Sequence, residues 1–326
     1  MVPDTAFSGE LAEAAVFAGR APSILNSQPW LWRVDGDTLD LYLQRRRVLP
    51  YTDPDDRLAV LSCGAALHHA RTMLAAHGRT VTVERYPGPD HDHLARLRLG
   101  PPAPPDGIAA GLVAAAADRC TDRRARPSVP LDYDKLRTVG AAIRTGGADL
   151  RLLHQREVIA LAEAAEQALA TERDDPDWQV EVADWVGGDG SGGTGIPVGA
   201  LPSDPLQLTA PARLLRRAAA DLITDTHRRT CVFGVLYGGG DRLEHWLAGG
   251  EALSAGWLTA TRIGVSVLPL SVVVEVATSR DAISRALGWA GYPYLVLRFA
   301  TTNDEPPTTR TPRLPAGQTV DQGRDQ

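Results

Sequence analysis

The stretch Ala21-Pro-Ser-Ile-Leu-Asn-Ser-Gln-Pro-Trp30 decides how this chain is read. Its prolines, serines and asparagine make it a loop, because proline lacks an N–H and Ser and Asn bond their own backbone. Upstream, SGELAEAAVFAGR (residues 8–20) reads as a short helix with Ser8 as N-cap and Gly19 as stop. Downstream, LWRVDG and TLDLYLQ alternate around a DGD turn and predict a β-hairpin. The loop offers Ser23, Asn26, Ser27 and Gln28 as hydrogen-bonding groups beside Trp30 and Trp32. Polar groups mixed with aromatics suit a planar heterocycle with a polar edge. The same residues equally suit a capped turn that leads into a strand.

Beyond the hairpin, residues 56–77 carry an apolar stripe at helical spacing, and RTVTVERYP and LARLRLG alternate like strands. GPPAPPDG reads as a linker, so a second half begins near Pro105. Helices are expected at 107–118, 133–145, 155–173 and 241–263. Strands are expected at TCVFGVLYG and YPYLVLRFA, and VSVLPLSVVVEV reads as strand or turn. The Gly-rich run GGDGSGGTGIPVGALPSDP (187–205) reads as a mobile loop, and the tail after Asn303 is Pro-rich and polar. The halves echo each other. Leu61-Ser-Cys-Gly64-Ala-Ala-Leu67 matches Leu247-Ala-Gly-Gly250-Glu-Ala-Leu253, and Gly78 matches Gly264 at the same separation. LRLG around Arg98 parallels LRFA around Arg298. Such spacing predicts an internal duplication.

The 326 residues are 44% hydrophobic and 23% charged, with a net charge of -6. That balance suits a globular protein and argues against general affinity for nucleic acid or anionic membranes. Lys135 is the only lysine, so any anion site must be built from Arg, backbone N–H groups or hydroxyls. Cys63, Cys120 and Cys231 form no CxxC pair, which argues against zinc or dithiol chemistry and fits a cytoplasmic protein. Asp4, Glu10 and Glu13 interrupt what a signal peptide would keep apolar, and no run of 18 apolar residues spans a membrane. GGDGSGGTG lacks the strand–helix setting of a dinucleotide fingerprint. His68 and His69, adjacent on a helix, point about 100° apart and read, with His245, as interface or surface residues rather than metal ligands.

Arg119-Cys-Thr-Asp-Arg123-Arg124 gathers three guanidiniums and a hydroxyl in six residues, a composition suited to phosphate. In isolation it would read first as a solvated surface run. Arg310 and Arg313 form a second, smaller cluster in the tail.

Together these motifs resemble the nitroreductase superfamily, and within it the Acg-like branch. The set runs in order over nearly the whole chain: APSxxNSQPWxW, DxxxRxxxLxCGAxLxH, RxTDR, GIP, GExL, PxxxxxE and TPRxP. The resemblance implies an α+β fold with mixed or antiparallel sheets flanked by helices, duplicated so that one chain resembles a fused nitroreductase dimer. Residues 1–104 would be the first half and 105–326 the second. It further implies FMN, with Pro22, Ser23, Asn26 and Gln28 in the flavin loop. Arg119, Thr121 and Arg123 would serve the ribityl–phosphate end, the Pro269-Leu270-Ser271 backbone the N5 edge, and Arg310 or Arg313 the phosphate. The first half lacks its own RxSxR and the second half its own PSxxN, so one FMN per chain is expected. Leu314 stands where the branch usually repeats Arg, and Tyr294 where it usually has Gln; both put flavin affinity in question.

No protein residue need act as catalyst, since the flavin carries the chemistry. The implied reaction moves two electrons from NAD(P)H through flavin N5 to an electron-poor small molecule. Two alternatives are a flavin-sequestering protein, lidded by residues 184–205, and a specialised biosynthetic flavin oxidase or dehydrogenase. A fused dimer satisfies its own interface, so the resemblance allows a monomer, with a homodimer through another surface left open.

Overall fold

The computed structural model describes residues 9–121, 123, 129–173, 175–201, 231–286, 288, 291–302 and 309–322. Ser8, Asp122, Arg124 and positions 202–205 of the Gly-rich run lie outside the described residues.

Two 20-residue helices, α2 (Arg57–Ala76) and α7 (Leu243–Arg262), cross at the centre of the molecule. Small residues make the crossing. A Cβ built on Gly64 would lie 2.0 Å from Leu247 O, and one on Gly250 would lie 1.9 Å from Leu61 O. The contact is reciprocal: Leu61 pairs with Leu247 and Gly64 with Gly250 at one fixed separation. That separation also holds for both ends of the helices, and for His68 and Ser254, which hydrogen-bond 186 residues apart. Each helix ends at a left-handed glycine, Gly78 (φ 72°) or Gly264 (φ 73°), and a strand begins at the next residue. This is the self-complementary geometry of a two-fold interface, found here within one chain.

Each helix covers a sheet. The first sheet has the order β3 (Arg79–Arg85), β4 (His93–Pro102), β2 (Thr38–Leu43), β1 (Trp30–Asp35), β9 (Val320–Gln322). The second has the order β5 (Asp149–Leu152), β6 (Cys231–Gly238), β8 (Tyr292–Thr301), β7 (Val265–Leu270). All pairs are antiparallel except β1 with β9. One contiguous core runs from Trp32 through Leu67 and Leu253 to Phe299. The protein is therefore α+β, with sheets flanked by helices. Of the interface and surface readings of His68 and His69, the interface one fits: both face the α2–α7 seam, where Ser254 Oγ meets their Nδ1 atoms at 2.8 and 2.9 Å.

Several boundaries differ from expectation. GPPAPPDG is not all linker, because β4 continues to Pro102 beside β3. VSVLPLSVVVEV splits into β7 and a short helix, Val272–Glu275. The polar tail returns to the first sheet as β9, so the sheet assembled from residues before 104 is completed by the end of the chain. Trp30 and Trp32 are core residues with no exposed surface.

The DxxxR motif starts α2. Asp53 accepts from the N–H groups of Leu58 (3.0 Å) and Ala59 (2.8 Å), satisfying helix donors that have no internal partner. Arg57 reaches across to Asp241 and the Pro293 carbonyl.

Two outcomes follow from this packing. Gly64→Ala pushes backbone against backbone and is expected to destabilise by about 1–3 kcal/mol or more, read as a lowered Tm; an unchanged Tm contradicts the crossing described. Burial also raises the Asp53 carboxyl from 3.8 to about 7. A folded value above the unfolded one favours folding fully below about pH 4 and loses that contribution as pH rises through about 7. Asp53→Asn should therefore flatten the fall in Tm between about pH 5 and about pH 8; a slope equal to that of the parent protein would show that Asp53 does not titrate there.

Candidate functional site

The Ala21–Trp30 loop leaves α1 (Glu10–Ala18) and turns through left-handed backbone at three residues that are not glycine. These are Leu25 (φ 42°), Asn26 (φ 57°) and Gln28 (φ 51°). Such conformations persist only where surrounding bonds hold them. Ser23 Oγ accepts from Gln28 N at 3.0 Å, and Ser62 Oγ on α2 accepts from Ile24 N at 3.1 Å.

Two amide side chains then tie three distant segments together. Asn26 Nδ2 donates to Gly195 O (3.1 Å) and Pro312 O (3.0 Å), while its Oδ1 accepts from Arg313 Nη1 at 2.9 Å. Gln28 Nε2 donates to Gly193 O at 2.8 Å, and its Oε1 accepts from Leu314 N at 3.0 Å. The described part of the Gly-rich run is thus pinned to the loop and the tail. Its turns use left-handed glycines, and a Cβ on Gly193 would lie 3.0 Å from Arg313 O. Apolar packing adds to this. Trp178 and Val182 of α6 (Pro176–Trp185), with Val186 and Ile196, form a small core with Leu25 and Leu49. Glu181 accepts from the N–H groups of Tyr51 and Thr52.

Beneath this assembly lies a cavity of about 910 Å³. Pro22, Ser23 and Asn26 line it from the loop; Arg119, Thr121 and Arg123 from the segment after α3 (Gly107–Asp118); Pro269, Leu270 and Ser271 from the end of β7; and Arg310 and Arg313 from the tail. Eleven of the twelve residues expected to serve one site therefore meet around one cavity. Gln28 does not line it; its side chain is spent on the Gly193 and Leu314 backbone. Ser27, Trp30 and Trp32 do not line it either, so the aromatic surface comes from elsewhere. Trp257 of α7 supplies it, together with Leu253 one turn earlier and with Leu58, Leu61 and Ser62 of α2. These helix residues escaped sequence reading, although Leu253–Trp257 and Leu58–Ser62 each show the i, i+4 spacing that places two side chains on one face.

Charge distinguishes one end of the cavity. Arg119 is 7% exposed, stacks on Trp257 with its guanidinium carbon 4.8 Å from the ring, and donates from Nη2 to Arg20 O at 3.1 Å. Arg313 donates to Asn26, to Thr311 and to carbonyl oxygens of the loop. Among the described residues Arg123 reaches the Ala200 carbonyl, at 3.5 Å. Among the described residues no carboxylate pairs with any of the three, and Nε of Arg119 and of Arg313 has no acceptor. Burial, with the charge of Arg313 next, pushes Arg119 down to about 9. Burial likewise pushes Arg123 and Arg313 down to about 10. Buried guanidiniums without counter-charge are costly unless an anion joins them. Leu314 lines the cavity without adding charge; Tyr294 instead packs on Gly249 and donates to Gly240 O, away from the cavity. Among the described residues no cluster of His, Cys, Asp or Glu could hold a metal ion, and no helix is long and apolar enough to cross a membrane.

Fold and cavity define an α+β protein with a deep, largely apolar pocket that is also lined by several arginines. No protein-family model matches the chain. Two Mycobacterium tuberculosis proteins, both provisionally named NAD(P)H nitroreductases, are similar to it. Rv3131 is 36% identical over 93% of this chain and 89% of its own; acg is 33% identical over 96% of each. The chain therefore belongs to the nitroreductase family of oxidoreductases. The crystal structure of the FMN-dependent nitroreductase NfnB from Mycobacterium smegmatis in complex with NADPH aligns with 67% of this chain and 100% of that chain, at 17% identity and a TM-score of 0.47.

Arg119→Met keeps bulk and removes one unpaired buried charge. Inorganic phosphate, followed by thermal shift, is expected to bind roughly tenfold to a hundredfold more weakly, while the ligand-free protein melts no lower than the parent. Unchanged phosphate affinity would show that Arg119 does not serve an anion.

Proposed function

We propose that the cavity holds one FMN and that the chain is an NAD(P)H-dependent flavin oxidoreductase. It would pass two electrons to an electron-poor small molecule such as a nitro compound or a quinone. The observation that carries this reading is the trio Arg119, buried, and Arg123 and Arg313, half-buried, which line a largely apolar cavity and pair with no carboxylate among the described residues. A terminal phosphate supplies the missing negative charge in a form that guanidiniums match. Leu58, Leu61, Leu268, Leu270 and Leu295 offer the apolar slot that a planar ring system needs, and the volume lies within the range of ligand pockets, about 300–1,000 Å³. The provisional names of the relatives support NAD(P)H as donor.

FMN, when bound, supplies hydride acceptance and donation at N5. The chain's own groups bind and orient. Arg119, Arg123 and Arg313 would hold the phosphate, with Thr121 beside them and Arg310 at the rim. The Pro269–Ser271 backbone, which lines the same cavity, is the candidate for hydrogen bonds to the ring. Both amide hydrogens of Asn26 are already engaged, so Asn26 acts by positioning the loop, the Gly-rich segment and Arg313. The paired sheets and crossing helices would derive from a duplication that put both halves of a two-chain site into one chain, which therefore functions as a monomer.

One observation favours a second reading, flavin sequestration: residues 185–196 are docked on Asn26 and Gln28, and Ile196 reaches the cavity wall. A segment held over the ring would keep nicotinamide from stacking on it. Anaerobic stopped-flow absorbance separates the two. Mixing the FMN-loaded protein with NADPH is expected to bleach the flavin within seconds, and a quinone should restore the colour. A flavin that stays oxidised over minutes contradicts turnover and supports sequestration.

A further inference from the structure

Residues 186 apart occupy related places about the α2–α7 crossing, so each wall of the cavity has a counterpart on the other side of the molecule. Trp257 on α7 and Ser271 after β7 line the cavity. Their counterparts are Arg71 on α2 and Arg85 at the end of β3. An aromatic and a hydroxyl residue facing a ligand are thus replaced by two cations.

Those cations close on a single carboxylate. Arg85 Nε donates to Glu251 Oε1 at 2.9 Å, and Arg71 Nη1 donates to Glu251 Oε2. Glu251 is 1% exposed, while the Arg71 and Arg85 side chains remain 39% and 38% exposed. The Nε–H of Arg71 is buried with no acceptor. Among the described residues no loop like Ala21–Trp30 is seen on this side: α4 (Tyr133–Thr145) passes through Gly146 and Gly147 and enters β5 within a few residues.

Carboxylate and phosphate present the same paired oxygens to a guanidinium. A buried carboxylate is retained at such a place only with counter-charges on it, and its removal leaves those cations with an unmet demand for an anion. We propose that the Arg71–Glu251–Arg85 triad plugs a second, symmetry-related ligand site. The Glu251 carboxylate there fills the place that faces the counterparts of Trp257 and Ser271, and without it Arg71 and Arg85 become an oxyanion-binding pair. The name of the first site's ligand rests on the FMN reading; the triad itself does not.

The test uses protein saturated with FMN, so that the first site is filled before phosphate is added. A chain that fails to take up FMN reveals that failure at this step, separately from the triad. Inorganic phosphate at millimolar concentration is expected to raise the Tm of the Glu251→Gln holoprotein by roughly 2–4 °C while leaving the parent holoprotein unmoved at equal ionic strength. Glu251→Gln/Arg85→Gln, which removes one of the two cations, is expected to lose the response. Equal phosphate responses in parent and Glu251→Gln, or none in either, overturn the proposal. Should Glu251→Gln fail to fold in ordinary buffer, phosphate and not chloride must raise its refolding yield; no such rise overturns the proposal equally.

Discussion

The backbone contact between Gly64 and Gly250 is the constraint on which the rest depends. With no side chain at either position, α2 and α7 approach until each helix meets the other's carbonyls. That distance sets the separation of the two sheets and brings the Leu58–Ser62 turn of α2 and the Leu253–Trp257 turn of α7 to the same cavity. A cavity beside this crossing can draw each wall from a different part of the chain. The loop at residues 21–30, the segment at 119–123, the β7 end at 269–271 and the tail at 310–313 meet for this reason.

A second constraint is electrostatic. The protein places three guanidiniums around a largely apolar cavity and gives them carbonyl oxygens, a ring face and an amide, but no carboxylate among the described residues. Elsewhere the same chain sets buried carboxylates against cations, as with Glu251 between Arg71 and Arg85, or Asp40 between His93 and Arg96. That contrast is the ground for placing the proposed phosphate at these arginines. An unpaired cluster is held in place because Asn26, the tail and the Gly-rich segment share one hydrogen-bond network, so that docking one segment orders the next.

Much of this was legible in the sequence because it rested on local chemistry. Proline and asparagine marked the loop, the repeated Leu–Gly–Leu spacing marked the crossing helices, and RxTxR marked the cationic end. What escaped depended on partners far away in the chain. Gln28 reads like any polar loop residue, and only the fold shows its amide bonded to Gly193 and Leu314 rather than facing the cavity. Trp30 and Trp32 looked like companions to the loop's polar groups, yet strand alternation sends both into the core. The Gly-rich run carried no propensity for regular structure, and its order comes from hydrogen bonds to Asn26 and Gln28. The β9 strand is three residues long in a polar tail, too short for any periodic signal.

The central claim is that both halves of one chain build a single composite cofactor site. Native mass spectrometry of the FMN-reconstituted protein tests it most directly. The account expects a dominant species of one 34.9 kDa chain carrying one FMN, at protein concentrations where no dimer forms. Two FMN on one chain, or FMN retained only by a dimer, would contradict it.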